Sequence, residues 1–183
     1  MGARPQLHVI AGPNGSGKTT YANSWNHPFT IHNPDDIAKN AGGDAGNRLI
    51  AAGRIIHERI YADIGARRSF GFETTMAGTN WQTIMKTCVE QNYFVYLHFI
   101  CVQNLDVSRS RVAQRVSIGG HGVPEVDQLR RFQRVLDNLP KAILLADAAY
   151  IYDNSEKQGH KLIGCYDHGI NTYRSNSFDW LPT

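Results

Sequence analysis

The run Gly12-Pro13-Asn14-Gly15-Ser16-Gly17-Lys18-Thr19 fits the pattern GxxxxGK followed by Ser or Thr. An apolar stretch, Leu7–Ala11, precedes it, and a helical stretch, Lys18–Trp25, follows. That strand–loop–helix setting is what gives the pattern its meaning. Small residues let successive backbone N–H groups converge on an anion, and the helix N-terminus adds its partial positive charge. Gly12, Asn14, Gly15, Ser16, Gly17, Lys18, Thr19 and Thr20 then form a phosphate-binding loop for ATP. Lys18 is expected to bridge the β- and γ-phosphates, and Thr19 to hold Mg²⁺. A glycine-rich turn with no ligand is the bland alternative.

Binding ATP leaves three outcomes open: hydrolysis by a switch or motor, transfer of the γ-phosphoryl group, or binding alone. A motor is expected to end an apolar strand in an acid. The run Tyr93–Val102 ends in Cys101-Val102-Gln103-Asn104 with none, and an LSGGQ signature is absent. Asp35, in IHNPDDIA, lies 17 residues after Lys18, at the tip of a second strand expected beside the loop's own. A carboxylate there could take the proton of an incoming hydroxyl. Asp36 is a candidate contact to the acceptor, and either Asp could instead cap the next helix. Glu73, in FGFETTM, ends a third strand beside Thr74 and Thr75. It could orient the acceptor or hold a metal-bound water, or belong to a cap.

Arg111 and Arg115 stand one helical turn apart, and Arg130, Arg131 and Arg134 follow a Gly119–Pro124 break. Two arginine-bearing helices around a glycine-rich hinge read as a lid over about 105–140. Closed, it would put guanidinium groups on the transferring phosphate and exclude water. A solvated basic face is the alternative reading of the same arginines. His121 sits in the hinge and caps a turn or touches phosphate. Asp153-Asn154-Ser155 reads as a strand-to-turn cluster.

The elements that must hold these residues alternate. Strands are expected over Leu7–Ala11, Phe29–His32, Phe70–Thr74, Tyr93–Val102, Ala149–Tyr152 and Lys161–Tyr166. Helices are expected over Lys18–Trp25, about Gly46 to Arg67, Trp81–Gln91 and Leu105–Val116. A last helix carries Leu129, Phe132, Leu136 and Leu139 on one face. The tail Ile170–Thr183 reads as irregular. Such alternation predicts an α/β fold of three layers, with a parallel central sheet and ligands at the strands' carboxyl ends.

Composition sets the outer limits. At 183 residues, 42% of them hydrophobic, the chain is expected to form one domain. Between Asn104 and Lys141, seven basic residues face four acidic ones, an excess equal to the whole formal charge of +3. One arginine-rich segment on a balanced body fits a focused phosphate site and not a nucleic-acid surface. Cys88, Cys101 and Cys165 are widely spaced, which fits free thiols and not a disulfide framework or a zinc site. The apolar run near the start is too short for a signal peptide, and no stretch reaches membrane-spanning length. The expected setting is the cytoplasm, without membrane partners.

The ordered set GPNGSGKTT, NPDDIA, FETT and RVSIGGHGVPEVDQLRRFQRVLDNL resembles the zeta-toxin family of P-loop kinases in its short form, over about His8 to Ser155. The resemblance implies a P-loop kinase fold with an arginine-bearing lid. It also implies ATP- and Mg²⁺-dependent phosphorylation of the 3′-hydroxyl of the amino sugar in UDP-N-acetylglucosamine or a related UDP-sugar. By motif, Lys18 and Thr19 match the family's Walker pair, Asp35 its catalytic base and Glu73 a substrate-side acid. Arg115 and either Arg130 or Arg131 match the lid arginines on the ATP phosphates. Many members are toxins held by a protein antitoxin, so such a partner is implied too. The chloramphenicol phosphotransferases share the layout with another acceptor. An antibiotic or nucleotide kinase, and a non-kinase ATP-binding or ATPase regulator, are the competing readings.

Overall fold

The computed structural model describes residues 3–40, 45–117, 125–156, 159–175, 178 and 180–182, without the side chains of 39–40, 45–50, 115 and 125–127. Its strands are β1 (Gln6–Ala11), β2 (Ile31–His32), β3 (Phe70–Thr74), β4 (Phe94–Cys101), β5 (Ala148–Asp153), β6 (Lys161–Asp167) and β7 (Ile170–Arg174). Its helices are α1 (Lys18–Ala22), α2 (Pro34–Asn40), α3 (Ala45–Gly65), α4 (Asn80–Glu90), α5 (Leu105–Ser117) and α6 (Glu125–Leu145). The strands form one sheet in the order β2-β3-β1-β4-β5-β6-β7.

β1 to β5 are parallel, so their carboxyl ends collect at one edge. The loop after β1, the residues after β2 and β3, and Asn154 after β5 all meet there. This is an α/β arrangement, as the alternation predicts, and it is P-loop kinase-like, as the resemblance implies.

Three details differ from expectation. β2 does not lie beside β1: β3 stands between them, paired with β1 from Leu7↔Phe70 to Ala11↔Thr74. The loop's immediate neighbour therefore ends in Glu73, and Asp35 comes from one strand further out. Second, α1 stops at Ala22, where Asn23 and Ser24 bond back to Thr19 O and Tyr21 O. Third, β6 and β7 are antiparallel, joined at His168 and Gly169, both with positive φ (47° and 80°) as a two-residue hairpin requires. β7 was legible only as irregular sequence because it is an edge strand, exposed along nearly its whole length, and carries no alternation of apolar residues.

One face of the sheet holds most of the core. Leu7, Val9, Leu97 and Phe99 pack with Ile56, Ile60 and Ile64 of α3, Ile84 and Met85 of α4, and Val135 and Leu139 of α6. Each such side chain contributes about 1.5–3 kcal/mol by leaving water. The buried stripe of α6 runs through Val135, Leu139, Ala142 and Ile143, whereas Leu129 is exposed. The helix is thus anchored in the core from Val135 onward.

On the other face, Ile10 and Ile100 pack with Ala22 and Tyr21 of α1. Beside them runs a buried polar chain. Tyr21 Oη donates to His98 Nδ1 (2.9 Å), His98 Nε2 to His8 Nδ1 (3.1 Å), and His8 Nε2 to Gln6 Oε1 (3.2 Å). Burial keeps both rings neutral, and because Gln6 Oε1 can only accept, the donors then run in this one direction. The His8 ring also stacks on Phe29 and Tyr96.

Candidate active site

The loop after β1 is held open by glycine. Gly12 and Gly17 adopt φ of 144° and 94°, conformations that L side chains rarely take. A Cβ on Gly12 would overlap the Ile100 carbonyl, and one on Gly17 would overlap the Asn154 side chain. The loop is gripped from outside as well. Ser108 Oγ donates to Asn14 O (2.7 Å), and Asn154 Nδ2 donates to Ser16 O (2.8 Å). Lys18 Nζ lies over the loop, donating to Gly12 O (3.0 Å) and Pro13 O (2.9 Å).

Across from Lys18 stands a buried carboxylate. Thr19 Oγ1 donates to Glu73 Oε2 at 2.8 Å, and Asn33 Nδ2 donates to Glu73 Oε1 at 2.9 Å. Burial pushes the Glu73 carboxyl above its ordinary range; Thr19 and Lys18 oppose the shift, and the charges of Asp35 and Asp36 add to it. An acid therefore does end a strand adjoining the loop strand. β4 ends without one, as its sequence indicates, and the acid is Glu73 of β3, the loop strand's immediate neighbour.

Asn33 also accepts from the Asp35 N–H at its Oδ1 (2.8 Å), so Asn33, and neither Asp35 nor Asp36, caps α2. Asp35 and Asp36 sit exposed in the helix's first turn. They line a cleft of about 840 Å³ together with Lys18, Thr19, Thr20, Glu73, Thr74 and Arg111. Thr74 Oγ1 accepts from Met76 N–H (3.0 Å), which shapes the turn after β3.

The arginines divide. Arg111 lines the cleft and donates to Ser155 O (3.1 Å). Arg131 lines a small cavity with Pro13, Asn14, Thr75 and Ser108, beside the loop, whereas Arg130 is exposed on α6. Arg115 belongs to α5, with its side chain outside the described residues; Gly119–Pro124, His121 included, lie outside them altogether. Two residues matter here that sequence reasoning passed over. Asn154 was read as part of a plain turn, yet it holds the loop. Asn33 was not singled out, although an Asn before Pro-Asp-Asp is a cap signal.

The donor set fits a nucleoside triphosphate and a small hard cation. The cradle is closed to any Cβ at Gly12 and Gly17, and Ser16 Oγ is buried there with no hydrogen-bond partner. Thr19 and Glu73 offer oxygen donors of the kind Mg²⁺ takes alongside substrate phosphates and water. Among the described residues, no group of three or more His, Cys, Asp or Glu side chains forms a self-sufficient metal site. No helix among them is long and apolar enough to cross a membrane.

Comparison with known proteins agrees with this geometry. The chain is 32% identical over 124 residues to an uncharacterized protein of Haemophilus influenzae, covering 62% of this chain and 83% of that protein. Its fold is similar to the AvrRxo1-ORF1:-ORF2 complex solved with ATP (TM-score 0.68, 16% identity, 94% of this chain). It spans 61% of the length of that chain. It is also similar to a structure of the PezAT chromosomal toxin–antitoxin system of Streptococcus pneumoniae. There the TM-score is 0.64 at 16% identity, over 84% of this chain and 69% of that one. At these identities the likeness is one of fold. The model of the AAA domain family matches residues 7–139, from the first residue of the buried β1 core to the anchored part of α6, and the protein belongs to that family.

Proposed function

We propose that the protein is an ATP-dependent kinase that transfers the γ-phosphoryl group to a hydroxyl of a small molecule. Its chemistry follows the zeta-toxin pattern, and a UDP-activated amino sugar such as UDP-N-acetylglucosamine is the favoured acceptor. The observation that carries this reading is the shared cleft: Asp35 lines the same cavity as Lys18, Thr19 and Glu73. Lys18 and the loop amides bind and orient the phosphates. Thr19 and Glu73 would hold Mg²⁺, which neutralises phosphate charge when bound. Asp35 accepts the acceptor's hydroxyl proton at its carboxylate, and Asp36 and Thr74 face the acceptor. Arg111, Arg115 and either Arg131 or Arg130 supply positive charge at the phosphates and exclude water. The fold shared with a complex solved with ATP supports nucleotide binding, and the fold shared with a toxin–antitoxin system supports a protein antitoxin as partner.

The experiment is Asp35→Asn. With ATP, Mg²⁺ and a panel of UDP-sugars, wild type is expected to add one phosphate to a sugar nucleotide, read by mass. The variant is expected to lose roughly 10²–10⁴-fold in rate while still binding ATP. Transfer that survives in Asp35→Asn defeats the assignment of the base. Phosphorylation of another alcohol but no UDP-sugar defeats the acceptor. A second reading, an ATPase that transfers to water alone, is favoured by the Thr19–Glu73 bond beside the loop. ATP hydrolysis that no acceptor diverts would select it.

A further inference from the structure

Asn33 is 8% exposed and sits where three parts of the cleft meet. Its Oδ1 accepts from the Asp35 N–H at 2.8 Å, and its Nδ2 donates to Glu73 Oε1 at 2.9 Å, with Thr19 Oγ1 at 3.4 Å from the same nitrogen. Only one orientation of the amide serves both neighbours. A backbone N–H can only donate, so it faces the oxygen; a carboxylate accepts, so it faces the nitrogen. β2, which delivers Asn33, is two residues long and pairs with β3 only through Ile31↔Gly71 and His32↔Phe72.

We propose that Asn33 is a positioning residue. Through a single amide it sets the Asp35-bearing turn of α2 against the Thr19–Glu73 pair, so that acceptor side and phosphate side keep one spacing. This rests on the kinase reading above for what the spacing achieves, but the link itself is a matter of binding and register. Alanine removes both bonds. Serine keeps a capping oxygen for the Asp35 N–H, since Ser and Asn cap about equally well, but is too short to reach Glu73 and adds no charge. An Asn that only caps is therefore replaceable by Ser, and an Asn that positions is not.

The test compares Asn33→Ser and Asn33→Ala with wild type in the full chain. Three quantities are measured: the melting temperature, kcat against KM, and the Mg²⁺ concentration that half-saturates the Mg²⁺-dependent gain in ATP affinity. For Asn33→Ser, the melting temperature is expected to stay close to wild type. Its kcat is expected to fall by roughly 10²-fold, the scale of an ångström-level misplacement. Its half-saturating Mg²⁺ is expected to rise by about 10-fold or more, as when a supporting hydrogen bond to a metal-side group is lost. Asn33→Ala should match it in both and lose thermal stability besides. If Asn33→Ser keeps kcat and Mg²⁺ dependence within about twofold of wild type, well inside the effect of a lost transition-state contact, Asn33 is a cap and nothing more. If wild type transfers to no acceptor and hydrolyses no ATP, the kinase reading fails by itself. The Mg²⁺ dependence of ATP binding then decides the positioning role, which stands if Asn33→Ser shifts it and falls if it does not.

Discussion

Thr19, in the first turn of α1, and Glu73, near the end of β3, meet at 2.8 Å, hydroxyl to carboxylate, 54 residues apart in sequence. The contact follows from sheet order: β3 adjoins β1, and Ile10 pairs with Glu73 in register. Replacing Glu73 by Gln keeps its size and removes its charge. Half-saturating Mg²⁺ for ATP binding is expected to rise by about 10–100-fold, measured by calorimetry across a Mg²⁺ series.

Lys18 rests its ammonium on the Gly12 and Pro13 carbonyls. Lys18→Ala removes a charge-assisted donor, a loss of about 1.5–3 kcal/mol. The dissociation constant for ATP is expected to rise by about 10-fold or more, with the far-UV circular dichroism unchanged.

Gly17 offers a paired test. Gly17→Ala introduces a Cβ where the Asn154 side chain lies, at a φ of 94°. The expected cost is about 1–3 kcal/mol of stability from the strained conformation, with more from the clash. Asn154→Ala in the same chain removes the obstructing amide. Denaturant unfolding of both single variants and the double should therefore show the double less destabilised than the sum.

Burial holds the His8 imidazole down to about 4, with the His27 charge adding to the effect, and His98 down to about 3, with His8 adding to it. Each value lies below the ordinary one near 6.5 that the unfolded chain shows. These rings therefore contribute stability in full above about pH 6.5, and that stability is lost as the pH falls toward 4 and below. The expected slope is about 1.4 kcal/mol per pH unit for each ring. Urea midpoints between pH 7.5 and 5 check it, and His98→Phe should flatten the dependence.

The parts of this molecule legible in sequence are those where one local pattern dictates one local structure. The glycine loop names its own conformation, and the spacing of Ala52, Ile56, Ile60 and Ile64 matches the buried stripe of α3. Sheet order is a different matter. Which strand lies beside β1 depends on long-range pairing, so β2, which leads to Asp35, was expected one strand too near. Asn33 and Asn154 escaped notice for a related reason. Their work consists of bonds to residues 40 and 138 positions away, which no spacing rule reveals.

The loop's outer grips span 94 residues from Ser108 and 138 from Asn154. Such a cradle has no precursor in any short fragment of the chain. It exists only once the sheet has assembled from β1 across to β5. Nucleotide affinity is then an all-or-none report of completed folding, and ATP should raise the melting point of the whole domain without protecting any sub-structure by itself.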